Sequence, residues 1–242
     1  MELNGQRALV MGGGSGIGAA TARLFAEAGA EVVITGRRAD VLADTAAAIG
    51  ARVRPATVDA ASDEDLAAFF ADGTTYDHLV LALSGGSGGG PITALALDDL
   101  RDGIEAKLIA HVRALKATLP HLAPGGSVTF IGAVSARAAL PGTAGLAAIN
   151  GAVEAMVGPL AAELAPRRVN AVSPGVIDTP WWHALPEEQR QAMFDGFAKA
   201  LPLGRVGLPE DVARAVVSLA TNTYITGTVL EVAGGAQLAT AG

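Results

Sequence analysis

The chain has no cysteine, few aromatic residues and fewer basic than acidic side chains. None of its 242 residues is cysteine, and 4% are aromatic. The absence of cysteine excludes disulfides, thiol nucleophiles and thiolate metal ligands together. Lysine and arginine number 17 against 24 acidic residues, which gives a formal net charge of −7. That charge argues against nucleic acid or an anionic membrane surface as a partner.

Segments typical of secreted or membrane proteins are also missing from the sequence. The first residues, Met1–Gly5, lack the basic and apolar blocks of a signal peptide, and no uncharged apolar stretch is long enough to span a bilayer. We therefore expect a cytoplasmic protein that does not bind membranes. Apolar residues make up 50% of the chain, which is enough for one core, so residues 1–242 are predicted to form a single domain.

Short apolar runs alternate with helical patterns along the whole chain. The predicted strands are Ala8–Met11, Glu31–Thr35, Arg52–Val58, His78–Leu83, Ser127–Gly132, Arg168–Val172 and Thr228–Val232. The predicted helices are Gly16–Ala28, Ala39–Ile49, Glu64–Ala71, Asp98–Leu119, Thr143–Leu164 and Pro209–Ala220. Such alternation is typical of βαβ units. The sequence therefore predicts the α/β class, with a doubly wound Rossmann-type sheet of seven parallel strands and helices on both faces.

A glycine-rich string follows the first predicted strand and opens the first helix. In this context backbone N–H groups and the helix N-terminus bind a pyrophosphate, and a Cβ at the glycines would block the phosphate oxygens or the tight turn. The residues that we assign to dinucleotide binding here are Gly12, Gly14, Ser15, Gly16, Ile17 and Gly18.

The end of the second strand predicts which dinucleotide is bound. The chain reads Thr35-Gly36-Arg37-Arg38 where a carboxylate would bind the ribose 2′-hydroxyl of NAD. Guanidinium groups pair instead with a 2′-phosphate, so Arg37 and Arg38 predict NADP(H). Asp59, after the third strand, is expected at the adenine amino group. The alternative for the two arginines is a solvated surface at a helix start.

Two segments interrupt the regular pattern. Residues 85–90 are five glycines and one serine directly after a strand, which indicates a flexible loop over a site. Residues 177–207 predict either a small satellite core or a substrate lid with an apolar lining. His183 in this segment is accordingly either a surface residue or an acid carried toward the site. The clustered side chains are Trp181, Trp182, His183, Phe194 and Phe197.

Further motifs follow the glycine string in order along the chain. They are Asp59, Leu119-Pro120, Glu163 to Asn170, Ser173 to Thr179, Pro209 to Ala213, Ile225-Thr226-Gly227 and Gly234-Gly235. With the glycine string, they resemble the short-chain dehydrogenase/reductase family over essentially all 242 residues. The resemblance implies that Pro174-Gly175 packs on the nicotinamide, whose carboxamide is hydrogen-bonded by Ile177 and Thr179. The loop matching the family's Asn-Asn-Ala-Gly reads Ala82-Leu83-Ser84-Gly85, so Ser84 and Gly85 are expected beside the cofactor.

The same resemblance implies a Tyr-x-x-x-Lys pair on the helix after the fifth strand, in which the tyrosine lends a proton to the substrate oxygen. The family's tyrosine position is assigned to Ala147 and its lysine position to Gly151. The serine position falls at Val134 or Ser135, and the asparagine position falls at Lys107. The side chains of Ala147 and Gly151 are a methyl group and a hydrogen atom, which cannot transfer a proton to the substrate. The two tyrosines of the chain, Tyr76 and Tyr224, lie far from this helix in the sequence. The ordinary family mechanism is therefore excluded.

Lys107 is the candidate for replacing the missing pair. Our hypothesis is that its ammonium group contacts the nicotinamide ribose or the substrate oxygen and supplies charge or a proton. Burial beside cationic neighbours is expected to lower its pKa. Ser135 adds a candidate hydroxyl, and His111, one turn beyond Lys107, is a weaker candidate. The alternative is that Lys107 only restores charge or lies at an interface.

The helix predicted at Thr143–Leu164 is apolar on nearly all sides, with Glu154 as its only charge before Glu163. Such a helix leaves an exposed apolar patch unless a partner subunit covers it. Since the resemblance implies dimers of dimers, we expect a homotetramer or a homodimer. Gly158-Pro159 is predicted to kink or break this helix.

Three functions are compatible with the sequence. The first is an NADP(H)-dependent oxidoreductase that acts on a small carbonyl-type substrate with an atypical proton source. The second is a catalytically silent NADP(H)-binding protein that acts as a sensor or interaction partner, and the third is non-redox chemistry on the same scaffold. Pro174, Gly175 and Thr179 favour the first, because a sensor of the adenine end does not need them. The sequence predicts no metal site.

Overall fold

The computed structural model describes residues 2–238 and contains one parallel sheet of seven strands. The strands are β1 (Arg7–Met11), β2 (Glu31–Gly36), β3 (Val53–Thr57), β4 (Tyr76–Leu81), β5 (Leu122–Ile131), β6 (Arg168–Pro174) and β7 (Val229–Val232). Their order across the sheet is β3-β2-β1-β4-β5-β6-β7, and every neighbouring pair is parallel. The chain changes direction across the sheet between β1 and β4, which opens a crevice at the carboxyl ends of these strands.

Helices cover both faces of the sheet. They are α1 (Gly16–Glu27), α2 (Ala39–Ile49), α3 (Asp63–Phe70), α4 (Leu97–Gly103), α5 (Ala110–Thr118), α6 (Ala144–Ala155), α7 (Val157–Glu163), α8 (Glu187–Ala200) and α9 (Pro209–Thr221). Successive residues of β1 serve different cores: Val10 packs with Phe25 of α1 and Val216 of α9, whereas Leu9 packs with Leu66 of α3 on the other face. This division follows from the period of two in a strand and confirms the doubly wound α/β prediction.

Two departures from the predicted helices lie close to the site. The helix predicted at Asp98–Leu119 is interrupted by a π-helical turn, Ile104–Ile109, between α4 and α5. The segment 177–207 contains a helix that the sequence analysis did not predict, α8, preceded by a 3-10 turn at Pro180–Ala184. Both features depend on packing against neighbouring elements rather than on an apolar period of their own.

The apolar helix breaks where proline predicts a break. The turn at Met156 separates α6 from α7, because Pro159 donates no N–H and its ring crowds the carbonyl one turn earlier. Within residues 2–238, the stretch Ala144–Glu163 is long and apolar enough to cross a membrane by length and composition, and 33% of its most apolar window is buried. Much of its apolar surface is therefore left uncovered by the rest of the chain.

Candidate active site

The glycine loop between β1 and α1 has the close packing that glycine permits. A Cβ on Gly12 would overlap the carbonyl oxygen of Ala82, and one on Gly18 would overlap the carbonyl oxygen of Gly12. Gly12 has φ of +85° and Gly16 has φ of +53°, a region that L side chains rarely adopt. Ser15 occupies the N-cap of α1. The first turn of the helix therefore presents its free N–H groups at the crevice between β1 and β4.

Two cations lie at the edge of this crevice, after β2. Arg37 and Arg38 are exposed, and neither forms an ion pair with another residue of the described range 2–238. Asp59 lies after β3, where its Oδ1 accepts a hydrogen bond of 2.9 Å from the backbone N–H of Ala61. Both guanidinium groups are thus free to bind an anion, whereas one oxygen of the Asp59 carboxylate already has a partner.

The segment after β4 packs against α6. Ser84 is exposed at its start, and a Cβ on Gly85 would lie 3.0 Å from the Cβ of Ala106. Gly88 is buried, and its carbonyl oxygen approaches Gly145 of α6 so closely that a Cβ there would overlap it. Residues 85–90 therefore contact α6 at Gly88 and Gly89, and the flexibility of this loop stays a prediction.

The segment after β6 meets the glycine loop from the other side of the crevice. A Cβ on Gly16 would lie 3.2 Å from the Cβ of Thr179, so the two are in van der Waals contact. Pro174 ends β6, and Gly175 approaches Ala233 too closely for any side chain. The carbonyl of Ile177 accepts a hydrogen bond of 2.9 Å from the indole N–H of Trp182. The structure therefore brings Thr179 to the glycine loop, while Ile177 is engaged within its own segment.

Lys107 lies in the π-helical turn and reaches toward the carboxyl end of β5. Its Nζ donates to the carbonyl oxygen of Gly132 at 3.3 Å. Burial lowers the pKa of Lys107 to about 8 from its usual 10.5, and the carboxylate of Glu154 partly opposes this shift. The pKa of Lys107 is lowered, as the sequence analysis expected. The expected cationic neighbours are not what acts on it, because the charge that influences its pKa is the negative carboxylate of Glu154. A group with this pKa exchanges a proton near neutral pH.

The surroundings of His111 indicate a structural role rather than a role as a proton donor. It is fully buried, and its Nδ1 and Nε2 lie 2.6 Å from the carbonyl of Lys107 and 3.1 Å from that of Leu81. A neutral imidazole has one N–H, and the shorter contact indicates donation to the Lys107 carbonyl. Burial lowers the pKa of His111 to about 4. This histidine therefore stabilises the turn that carries Lys107, and its candidacy as a proton donor is not supported.

Ser135 belongs to a buried polar cluster that sequence reasoning missed in part. The Nδ2 of Asn150 donates to Ser135 Oγ at 3.2 Å and to the carbonyl of Leu146 at 2.9 Å. Asn150 Oδ1 and Glu154 Oε1 are buried without a hydrogen-bond partner in residues 2–238. A polar atom in that state is rare and costly unless it binds a ligand or water. The signal available in the sequence was the i, i+4 spacing of Asn150 and Glu154, which places two polar side chains on one face of an apolar helix.

The structure shows how Gly151 and its neighbour Asn150 are oriented on α6. A side chain at Gly151 would point into open space, since nothing lies within 4 Å of a Cβ there. Asn150, one residue earlier, faces Ser135. Because successive helical residues are rotated by about 100°, Gly151, which the sequence analysis assigned to the family's lysine position, does not lie on the face that contacts Ser135.

Residues 177–207 form a small packed unit beside this site. Trp182 stacks edge-on against Trp181 with ring centroids 4.5 Å apart, and against Phe194 at 6.0 Å. Phe194 is buried, whereas Trp181 is 48% exposed. A cavity of about 210 Å³ lies under the segment, and its lining includes Ile177, Leu201 and Leu203. His183 is exposed, as its interpretation as a surface residue predicts. The satellite-core interpretation describes this packing, and closure as a lid stays a prediction.

Tyrosine is absent from the surroundings of Lys107 and Ser135 in the described part of the chain. Tyr76 is buried at the amino end of β4, where its ring stacks on Phe69 at 6.4 Å. Tyr224 is 99% exposed after α9. The amino and carboxyl ends of parallel strands lie at opposite edges of a sheet, so Tyr76 is on the far side from the crevice.

This geometry agrees with comparisons to known proteins. The family profile described as enoyl-(acyl carrier protein) reductase matches residues 12–237. The chain belongs to the short-chain dehydrogenase/reductase family. A 3-oxoacyl-(acyl-carrier-protein) reductase, FabG, of Pseudomonas aeruginosa is 32% identical, with 97% of this chain and 98% of that protein covered. An uncharacterized oxidoreductase of Mycobacterium tuberculosis is 35% identical over 97% of this chain and 93% of its own length.

Solved structures of related dehydrogenases share the fold over the full length of this short-chain dehydrogenase/reductase. A small-chain dehydrogenase in complex with NADPH superimposes with a TM-score of 0.82 at 30% identity, covering 96% of this chain and 99% of that one. A short-chain type dehydrogenase/reductase from Mycobacterium ulcerans gives a TM-score of 0.89 at 28% identity, covering 99% and 92%. The fold is therefore shared with these relatives. In this chain, Lys107, Asn150 and Glu154 lie near the carboxyl end of β5 in that fold.

Proposed function

We propose that this short-chain dehydrogenase/reductase is an NADP(H)-dependent oxidoreductase that acts on a small carbonyl-type substrate. The residues present fit a phosphorylated dinucleotide: Gly12 and Gly18 permit the tight packing of the loop, and α1 directs its N-terminus at the crevice. When bound, the dinucleotide supplies or accepts a hydride. A relative of the same fold was solved with NADPH, which supports this choice of cofactor.

The phosphate specificity is proposed to come from the residues after β2. Arg37 and Arg38 are exposed cations without an ion pair in the described structure, and no carboxylate precedes them at the end of the strand. A ribose 2′-phosphate pairs with such guanidinium groups in a bidentate manner. Asp59, Ser84, Pro174, Gly175, Ile177 and Thr179 are proposed to complete the cofactor site.

The observation that carries the catalytic proposal is the position of the Lys107 ammonium group. It lies at the carboxyl end of β5, 3.3 Å from the Gly132 carbonyl, with a pKa lowered by burial to about 8. At neutral pH the group is mostly protonated and still able to release its proton. We propose that Lys107 Nζ donates a proton to the substrate oxygen as a carbonyl is reduced to a hydroxyl, and that Ser135 orients that oxygen.

A screen of NADPH oxidation tests the proposal. Purified protein is mixed with NADPH and a panel of aldehydes, ketones, imines and quinones, and absorbance at the reduced nicotinamide band is followed. Turnover of at least one carbonyl compound, with NADPH preferred over NADH, is expected. Binding of NADPH is measured separately by calorimetry, because the absence of any binding would remove the basis of the whole proposal.

A second candidate function is favoured by one observation. The described tyrosines lie away from Lys107, at the opposite sheet edge and on the C-terminal surface, so a catalytically silent NADP(H)-binding protein is the alternative. Tight NADPH binding together with silence across the substrate panel would support the sensor rather than the enzyme.

Self-association is proposed to cover the apolar helix formed by α6 and α7. The rest of the chain buries 33% of the most apolar part of Ala144–Glu163. An exposed apolar surface of this kind marks a contact with a protein or a membrane. We propose a homodimer or homotetramer in the cytoplasm. Light scattering after gel filtration is expected to give two or four times 24.2 kDa, and a monomer at micromolar concentration would contradict it.

A further inference from the structure

Glu154 is a buried carboxylate in an otherwise apolar helix. It is 7% exposed, and Oε1 has no hydrogen-bond partner among residues 2–238. Oε2 pairs with the guanidinium group of Arg137 at 3.0 Å, and Arg137 also pairs with Glu231 of β7 at 2.7 Å. A charge in such a position is costly unless it interacts with another charge or a ligand. One oxygen of Glu154 is thus satisfied by Arg137, and the other is not.

The unpartnered oxygen lies against the same residue that Lys107 contacts. A Cβ on Gly132 would be 2.8 Å from Glu154 Oε1, and Lys107 Nζ bonds the Gly132 carbonyl. Gly132 follows β5, and the π-helical turn and α6, which are in contact with each other, each direct one charged side chain at it. The absence of a side chain at Gly132 leaves space for Glu154 Oε1, so the carboxylate and the Lys107 ammonium group both approach this one residue.

We propose that Glu154 is a positioning residue that keeps the Lys107 ammonium group protonated and directed at the carboxyl end of β5. The inference rests on the proposed function, in which Lys107 is the proton donor. It adds a residue that no comparison assigns, and it explains why a buried carboxylate lies on an apolar helix. Glu154 itself does not contact the substrate in this proposal.

The other charged groups near Lys107 are consistent with this role. His111, one turn beyond Lys107, is fully buried, and because burial lowers its pKa to about 4 it brings no charge near neutral pH. Arg137 lies behind Glu154, and its side chain is 43% exposed. Solvent therefore screens the cation more than it screens the buried carboxylate. The net field of the network at Lys107 is negative, and a negative field favours an ammonium ion.

The chemical step balances when the bound dinucleotide supplies the hydride, as the proposed function requires. One proton leaves Lys107 Nζ for the oxygen of the reduced substrate, the N–H bond breaks and an O–H bond forms. The neutral amine then recovers a proton from solvent water. The Glu154 carboxylate keeps its charge throughout, so it favours recovery of the ammonium form before the next turnover.

The test measures the pKa of Lys107 in the full-length protein by NMR of lysine labelled with 13C at Cε. The Lys107→Met variant identifies the resonance. Because an opposite charge nearby shifts a pKa by about 1–3 units, the pKa of Lys107 in Glu154→Gln is expected to fall by at least about one unit from the wild-type value. The alkaline limb of the kcat/KM profile is expected to move down by the same amount. Glu154→Asp is expected to restore part of the shift.

Two further variants complete the test. Glu163→Gln removes the next carboxylate along the chain, which is exposed at the end of α7, and is expected to leave the pKa of Lys107 unchanged. Arg137→Met removes the cation that faces Glu154 and is expected to raise that pKa. This opposite sign keeps the proposal testable if Glu154→Gln does not fold.

The outcomes separate the two proposals. An unchanged pKa of Lys107 in both Glu154→Gln and Arg137→Met overturns the positioning role of Glu154. If the NMR shifts occur as expected but Lys107→Met retains full turnover, the proposed function of Lys107 fails, and the role of Glu154 in catalysis fails with it. If both the shift and the loss of turnover are observed, both proposals stand.

Discussion

Asn150 and Ser135 are joined by a buried hydrogen bond of 3.2 Å from Nδ2 to Oγ, although they are 15 residues apart. The bond connects α6 to the 3-10 turn at Val134–Ala136, directly after β5. It fixes which face of α6 is directed at the crevice. The adjacent Oδ1 of Asn150 has no partner in the described chain, so it is available to accept a hydrogen bond from a hydroxyl group or a water.

Ser135→Ala is expected to lower the free energy of unfolding by about 1 kcal/mol, because one amide N–H loses its partner. Asn150→Ala is expected to cost more, about 2 kcal/mol, since it also opens a buried cavity. Urea denaturation measures both values. The control is Ser218→Ala, an exposed serine on α9, with an expected change below about 0.5 kcal/mol. Equal effects of Ser135→Ala and Ser218→Ala would mean that the buried bond contributes nothing.

Lys107→Met is expected to reduce kcat by about 10²–10⁴-fold, which is what a positioned proton donor typically contributes. The dissociation constant for NADPH is expected to change by a few-fold at most if the amine acts on the substrate. Lys116→Met, on the exposed side of α5, is the control and is expected to behave as wild type. If Lys107→Met leaves both turnover and NADPH affinity intact, the catalytic proposal is wrong.

Replacement of Arg37 and Arg38 by alanine is expected to weaken NADPH binding by at least about tenfold, because charge-assisted contacts to the 2′-phosphate are lost. Binding of NADH is expected to change little, since NADH lacks that phosphate. Calorimetry at two salt concentrations measures both ligands. Arg23→Ala, an exposed arginine on α1, is the matched control. A parallel loss of NADH and NADPH affinity would indicate a general effect on the fold instead.

Gly18→Ala is expected to be strongly destabilising and to abolish NADPH binding, because the new Cβ would overlap the carbonyl of Gly12. Gly151→Ala, with nothing within 4 Å of its Cβ, is expected to stabilise the protein by about 0.5–1 kcal/mol, as alanine does in a helix. Thermal unfolding distinguishes the two. Normal NADPH affinity in Gly18→Ala would remove the glycine loop from the proposed cofactor site.

Stability is expected to fall as the pH drops from about 6.5 toward 4. Burial lowers the pKa of both His78 and His111 to about 4 from the usual 6.5, so the unfolded chain binds protons that the folded chain does not. Each histidine contributes up to about 3 kcal/mol to the free energy of unfolding. This contribution is fully present above pH 6.5 and is lost as the pH falls to the pKa of the histidine in the folded protein. Chemical denaturation of His78→Gln is expected to show a smaller loss over this range. An identical pH dependence in wild type and variant would contradict the prediction.

Most of the sheet could be predicted from local pattern. The helix α2 was predicted with both ends correct, and β1 was predicted to within one residue. These elements have clear local patterns, because a strand buried on both faces is a short apolar run and a helix that buries one face has an apolar period. The helix α8 was missed because it lies in a segment with prolines and has a single buried residue, Phe194. Its packing depends on Trp182, which a local pattern does not reveal.

The candidate site was harder to predict than the fold. Lys107 was found from its position along the chain, whereas Asn150 was missed because its contact with Ser135 joins residues 15 positions apart. The π-helical turn at Ile104–Ile109 also has no sequence period of its own. It is held by the His111 side chain, which bonds the Lys107 carbonyl, and such a contact exists only after the helix packs on the sheet.

The sequence by itself determined the alternation of strands and helices, the glycine loop and the arginines after β2, because each depends on neighbours a few residues away. The tertiary structure alone decided that Lys107 and Glu154 both approach Gly132 and that Asn150 bonds Ser135. These contacts join residues from separate elements, and helix rotation changes the facing side chain by about 100° for each residue. A chain position identifies such partners only once packing has fixed that rotation.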